Sequence, residues 1–408
     1  MKKVFFYSIY TVLLVIFLFS IVFDAIPISA KIILEAVGLL VCFKYFFNPS
    51  YRLKRDYLLV IRLIIALVLW DIFTSFLNGR TEFHYIHDII PILGSIFGGQ
   101  LLYGYSRKYF TSHDQFLLVL TIIIFGESVL ALLMKAFPEL YAFIDSFIVF
   151  DFGSDTIDDI FDLTRIFGLG NAHYFGVLPT CNLAVMAAVF LIGRKDNLVD
   201  KVLLLFMWIV ISFTSFLTAR WSIFLVGLSV GLYILLQKRK SFSSQIGLVF
   251  ILIILVIGFF AFASKNIDAE SQKWAFAYFV DRDSSDHSAD IVVGWWENTR
   301  FELKTFFLGD AQYMDPKGGY YKHVDVGFFR EIFYGGIIGL FIILYSHIRI
   351  LKLVYRYERK RDFKLLLVFI FLGYLAAMAK GNFTMMSFLI LFLVYYSDGI
   401  FEKIPNKT

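Results

Sequence analysis

The stretch VFFYSIYTVLLVIFLFSIVF, Val4–Phe23, carries no charged side chain and is long enough to cross the hydrocarbon core of a bilayer. It follows Lys2 and Lys3, as a signal peptide would, yet no small-residue cleavage site ends it, and the chain continues through Asp24-Ala25-Ile26-Pro27 into another apolar run. It is therefore read as a retained first span. Further runs lie near 29–47, 57–77, 86–105, 116–135, 174–193, 202–218, 221–236, 245–263, 328–347, 363–379 and 383–399. The reading is an all-α polytopic membrane protein with about twelve spans. Residues 1–408 show no internal repeat, low-complexity tract or separate soluble domain, and are taken as one integral membrane domain.

Composition points the same way. Of 408 residues, 59% are hydrophobic, 19% aromatic and only 17% charged, with a mean hydropathy of +0.74. Soluble domains sit near half apolar and a quarter charged, so the excess calls for lipid as solvent. Cys42 and Cys181 both fall inside predicted spans, which excludes a disulfide framework or a cysteine zinc site. The net charge of +5 does not point to nucleic acid, because most basic residues lie in short loops between spans.

With the N-terminus inside, every second loop is basic. Arg52, Lys54 and Arg55 fill the first, then Arg107 and Lys108, then Arg194, Lys195 and Lys201, then Lys238, Arg239 and Lys240. The richest runs from Arg349 and Lys352 through Arg356, Arg359, Lys360 and Arg361 to Lys364. The positive-inside rule puts these loops in the cytoplasm, and with the N-terminus inside an even span count leaves the C-terminus there as well. Two long loops, about 136–173 and 264–327, then face outside, where function is expected. The later loop is expected to hold an amphipathic helix over Ala269–Val280 and an interfacial helix over Ala289–Leu308 carrying Trp295 and Trp296.

Cations at the outer ends of spans are the first candidates for chemistry. Arg220 sits in Thr218-Ala219-Arg220-Trp221-Ser222, between two runs with almost no loop. A guanidinium there either anchors to lipid headgroups or grips an anionic ligand through its planar fork. Arg165 opens Arg165-Ile166-Phe167-Gly168-Leu169-Gly170, whose glycines either let backbone approach a ligand or simply mark a loop. Arg282, Arg300, His323 and Asp325 occupy the second long loop. A histidine with a pKa of about 6.5 can act as general base at neutral pH, or can be an ordinary surface residue. Asp325 can orient the imidazole or be a base itself.

Asp158-Asp159-Ile160-Phe161-Asp162, preceded by Asp155, fits a D-D-x-x-D diphosphate–magnesium pattern. It has no second aspartate-rich partner and is read as a solvated acidic loop, so no metal is expected. Among charges within spans, Arg62, Asp71 and Glu127 stand out, because such charges are functional candidates by default. Pairing of Arg62 with Asp71 or Glu127 for purely structural reasons is left open.

Together these residues resemble the O-antigen polymerase (Wzy-type) and O-antigen ligase superfamily of bacterial envelope enzymes. Thr218-Ala219-Arg220 looks like its Thr/Ser-x-Arg motif at a span boundary. Trp295-Trp296, Phe307-Leu308-Gly309, His323 and Tyr334-Gly335-Gly336-Ile337-Ile338-Gly339 are similar to its late pattern of aromatic helix, Leu-Phe-Gly turn, histidine and glycine-rich span. Arg165 and Gly176, with ten residues between them, resemble a polymerase loop motif; the counterpart from Arg300 to Gly309 is shorter, and Arg282 competes for that role.

The resemblance implies a metal-independent, cofactor-free and inverting glycosyltransferase. Its donor would be an oligosaccharide repeat unit on undecaprenyl diphosphate, entering from the membrane lipid. Arg165, Arg220, Arg300 and Arg282 would bind the diphosphate, and His323 with Asp325 would activate the acceptor hydroxyl. A flippase and a chain-length regulator are the implied protein partners, and nucleic acid is not. The sister ligase activity shares fold and donor. A transporter or flippase is the reading from another class, set back by the missing repeat and the large late loop.

Overall fold

The computed structural model describes residues 2–26, 28–149, 169, 178–237, 294–316, 319–381 and 384–404. Within them the chain is almost wholly helical. Helices α1 (Lys2–Phe19), α2 (Ala30–Phe46), α3 (Arg55–Asn78), α4 (His84–Ser106), α5 (His113–Ala136) and the short α6 (Pro138–Asp145) make up the first part. Then come α7 (Leu178–Arg194), α8 (Leu198–Thr218), α9 (Ile223–Leu236), α10 (Leu303–Leu308), α11 (Gly327–Tyr357), α12 (Arg361–Met378) and α13 (Met386–Tyr396). Five of these, α3, α4, α5, α8 and α11, are long and apolar enough to cross a membrane. Every predicted span overlaps a described helix except 245–263, which lies outside the described residues.

Local chemistry sets the helix ends. Gly79 closes α3 in the left-handed conformation (φ 61°), with its N–H on the Phe76 carbonyl. The Asn197 side chain caps α8 by accepting from the Val199 N–H at 3.0 Å. Helices α7 and α13 are apolar all round and buried on nearly every face, so they form the centre of the bundle.

Three expectations need correcting. The basic stretch Arg349–Arg356 is not a loop but the last turns of α11, because Ile350, Leu353 and Val354 continue its buried face while Lys352 and Arg356 stay exposed. The run 383–399 yields only the 11-residue α13, since Asp398 and Gly399 turn left-handed (φ 55° and 81°) into a strand. That strand, β2 (Phe401–Lys403), pairs antiparallel with β1 (Tyr51–Leu53), with Arg52 opposite Glu402. The single helix expected over Ala289–Leu308 is two pieces, residues 294–298 and α10, separated by the non-helical 299–302. There Phe301 turns inward onto Phe333 (4.8 Å between ring centres), and Arg300 closes on the Glu297 carbonyl at 2.6 Å. Ala269–Val280 lies outside the described residues.

The feature that shapes the site is a break inside α11. Gly336 adopts φ 68°, ψ −177°, a region open essentially to glycine alone. The break frees carbonyls that a buried position cannot leave unpaired. Asp310 N–H donates to the Phe333 carbonyl (2.6 Å), Ala311 N–H to that of Tyr334 (3.0 Å), and the Trp70 indole to that of Gly335 (2.7 Å). Gly309, at φ 78°, ψ 172°, lies directly against the break; a Cβ on Gly309 would strike the Tyr334 carbonyl, and one on Gly336 the Phe307 carbonyl. The two glycine motifs noted in the sequence are thus one contact.

Gly336→Ala is expected to cost about 2–5 kcal/mol, combining left-handed backbone strain with a backbone overlap that cannot relax. Thermal unfolding of detergent-solubilised protein measures it. Gly104→Ala, whose Cβ would meet nothing within 4 Å, is the control and should change stability little.

Candidate functional site

Helix α4 begins without a capping side chain of its own, because its N-cap is Phe83. Its free N–H groups are taken by distant residues. The Ile86 N–H donates to Asp71 Oδ2 of α3 at 2.8 Å, and the His84 N–H donates to the Tyr334 hydroxyl of α11 at 2.7 Å. The Tyr334 hydroxyl in turn donates to Asp71 Oδ1. Asp71 is fully buried and serves as a cap across three helices. Arg62, by contrast, is exposed and pairs with neither Asp71 nor Glu127.

This frame orients the start of α4 and of α11 toward a cavity of about 260 Å³. His84, Asp88, Tyr313 and Glu331 line its polar side, and Leu67 and Ile343 lie on its apolar side. The Tyr85 hydroxyl donates to Glu331 Oε2 at 2.7 Å. His84 Nε2 stands 3.8 Å from Asp88 Oδ2, beyond hydrogen-bonding distance. The imidazole of His84 stacks on Tyr313 with ring centres 3.5 Å apart.

Beside the cavity lies a cationic shelf. Arg330, only 8% exposed, holds its guanidinium over the Tyr320 ring (3.6 Å) and the Tyr313 ring (4.2 Å). Its Nη1 lies 3.4 Å from Asp325 Oδ1, while Nε is buried with no hydrogen-bond partner among the described residues. Lys380 completes the shelf, 3.5 Å from Asp325 Oδ2 and 4.8 Å from the Trp295 ring. Both cations contact the one carboxylate of Asp325. Backbone N–H groups of Tyr313 and Met314 donate to Glu82 at 2.8 and 3.1 Å, pinning this segment to the α3–α4 turn.

The residues singled out from the sequence fall differently. His323 ends an exposed 3₁₀ turn, Tyr321–His323, with φ 56°. Asp325 belongs to the shelf and is held by Arg330 and Lys380, rather than orienting the imidazole. Arg300 is exposed and bonded to backbone carbonyls. The backbone of Arg220 lies in the 3₁₀ turn Arg220–Ser222 joining α8 to α9, but its side chain is outside the described residues. Arg165, Arg282 and the acidic run Asp155–Asp162 are outside them as well. Of the candidates among the described residues, His323, Asp325 and Arg300 do not line the cavity. Glu127 accepts from the Leu169 N–H at 2.5 Å. Among the described residues, no group of three or more His, Cys, Asp or Glu is arranged to hold a metal.

Arg330, Glu331, Asp88 and Lys380 were missed, although a signal existed for the first three. Arg330-Glu331 sits inside the predicted span 328–347 and Asp88 inside 86–105, so each met the same rule that singled out Asp71. Nothing local foretold that Tyr313 and Tyr320 would close over Arg330.

Burial raises the pKa of Asp325 above the ordinary carboxylate value, against the lowering pull of Lys380 and Arg330. As pH falls, Asp325 therefore gains its proton early, and Arg330 and Lys380 lose its counter-charge. Pyrophosphate binding to wild type is expected to strengthen between pH 7 and pH 5, relative to Asp325→Asn. The variant's shelf carries the same charge throughout, so the titration of the ligand cancels. Calorimetry at both pH values checks this, and a constant ratio sinks the assignment.

The scan of family models, the search of curated proteins and the search of solved structures returned no match, so function is argued from this geometry and from the sequence resemblance.

Proposed function

We propose that this protein is a bacterial polysaccharide polymerase of the inner membrane. In this reading it joins undecaprenyl-diphosphate-linked oligosaccharide repeat units at the outer face, without a metal and with inversion. The observation that carries the reading is Arg330, clamped between two tyrosine rings beside Lys380 and adjoining a cavity lined with carboxylates. A stacked guanidinium is held in place before substrate arrives and offers its fork to phosphate oxygens.

The chemistry follows from that placement. Diphosphate on the shelf would have its charge neutralised by Arg330 and Lys380. As the acceptor hydroxyl oxygen attacks the anomeric carbon, the bond to the diphosphate oxygen breaks and the electron pair leaves with the diphosphate. Fixed cations stabilise that growing charge. The hydroxyl proton passes to a general base, for which His323, on the same loop as Asp325, is the candidate. Trp295 and Tyr320, around the shelf, are aromatic surfaces suited to sugar rings.

A second reading draws on the break in α11 next to the acidic cavity. Interrupted helices beside buried charges also build the substrate sites of carriers. A carrier of lipid-linked repeat units would leave them on the inner face when lost.

The test is a deletion strain complemented with wild type, Arg330→Lys, Lys380→Gln or His323→Ala, with membrane levels matched. Wild type is expected to restore long chains, and Arg330→Lys to leave single repeats on lipid at the outer face. The loss should be roughly 100-fold, the scale of removing one charge-stabilising group. Polymer that forms but never reaches its final acceptor points to the ligase. Repeats confined to the inner face point to the carrier. Normal polymer from all three variants removes the site.

A further inference from the structure

We propose that the cavity between α3, α4, α11 and α13 is the subsite for the acceptor's terminal sugar, a neutral polyhydroxylated ring. This rests on the polymerase reading for the word acceptor, but the ligand chemistry follows from the cavity itself.

Size comes first. A cavity of about 260 Å³ lies just below the range of roughly 300–1,000 Å³ for drug-sized ligands. It takes one sugar ring, not a repeat unit or a lipid chain. Polarity comes next. The side chains of Asp88 and Glu331 bring four carboxyl oxygens to the lining, an acceptor-rich surface that suits a ligand rich in donors. Glu331 already receives the Tyr85 hydroxyl. Asp88 accepts no hydrogen bond among the described residues, since its one ion-pair contact, with His84, is at 3.8 Å. Thr384 adds a hydroxyl to the lining, and Leu67 with Ile343 adds an apolar wall for the C–H face of a pyranose.

Charge then separates the two substrates. Among the described residues the cavity lining holds two carboxyl groups and no lysine or arginine, whereas Arg330 and Lys380 supply cations for a diphosphate. The compartments share a wall, because Tyr313 lines the cavity and also lies under the Arg330 guanidinium at 4.2 Å. A ring in the cavity and a diphosphate on the shelf would thus both adjoin Tyr313, and transfer requires the acceptor hydroxyl to pass the edge of that ring and come within roughly 3–3.5 Å of the anomeric carbon.

The experiment uses full-length protein in detergent and saturation-transfer NMR. The probes are the methyl glycosides of glucose, galactose, rhamnose and N-acetylglucosamine, with choline as a cationic probe and pyrophosphate as an anionic one. At least one glycoside should bind, weaken tenfold or more in Asp88→Leu, and recover in part in Asp88→Asn, which keeps one acceptor oxygen. Leu67→Phe, which fills the cavity from its apolar side, should also abolish the signal. Thermal unfolding confirms that each variant is folded. Pyrophosphate binding should survive Asp88→Leu and fall in Arg330→Lys. Glycoside binding that persists where pyrophosphate finds no Arg330-dependent site upholds the cavity and removes the donor site from the polymerase reading. Choline displacing the glycosides, or no glycoside signal sensitive to Asp88→Leu and Leu67→Phe, overturns the proposal.

Discussion

The freed carbonyls at the Gly336 break are the constraint on which the rest of this architecture hangs. An apolar interior offers them no water, so other parts of the chain must supply donors. Asp310 and Ala311 do so from the backbone, and Trp70 from its indole. Meeting that demand draws the segment after α10 hard against α11 and sets α3 beside it. The neighbour of Trp70, Asp71, then reaches Tyr334 and the first turn of α4. One backbone irregularity thereby positions Tyr313, His84, Asp88 and Arg330 together.

Electrostatics divides what the break assembles. Burying Arg330 would be expensive if it stood alone, and its partners reduce that cost in two ways. Asp325 supplies a counter-charge, and the faces of Tyr313 and Tyr320 supply cation–π attraction in a partly dry setting. Lys380 is a second cation on the same carboxylate. A few ångströms away, past Tyr313, the cavity carries carboxylates in excess. A pair of cations beside a hollow lined with carboxyl groups is an arrangement suited to two substrates of different chemistry, or to one substrate with an anionic end and a hydroxylated end. Such prearranged charge needs no reorganisation when the ligand arrives.

The opposite end of the bundle is built for clamping. Arg194 bridges Asp114 and Glu358 at 3.2 and 3.3 Å, and Arg356 meets Asp56 at 2.9 Å. Lys54 reaches the backbone carbonyls of Ser397 and Gly399, while β1 pairs with β2. These contacts tie the ends of helices distant in sequence, and they leave the break and cavity confined to the other end. The charges that the sequence offered as loop markers are spent here on tertiary ties.

How far the sequence reached depended on how local each property is. Apolar run length and the alternation of basic turns are local, and they located nearly every described helix and separated the two ends of the bundle. Glycine in Leu308-Gly309 and Gly335-Gly336 was visible as a motif, and Asp71 as a charge out of place. What the sequence could not carry was partnership. Asp71 caps a neighbouring helix, Asp325 turns to Arg330 and Lys380, and His323 stays exposed. Arg330 became a candidate only once Tyr313 and Tyr320 were seen to enclose it. Hydropathy is a property of each segment by itself, whereas these contacts join segments far apart in the chain. They are selected by the need to pair every buried polar group once the helices have packed, and that need exists only in the folded molecule.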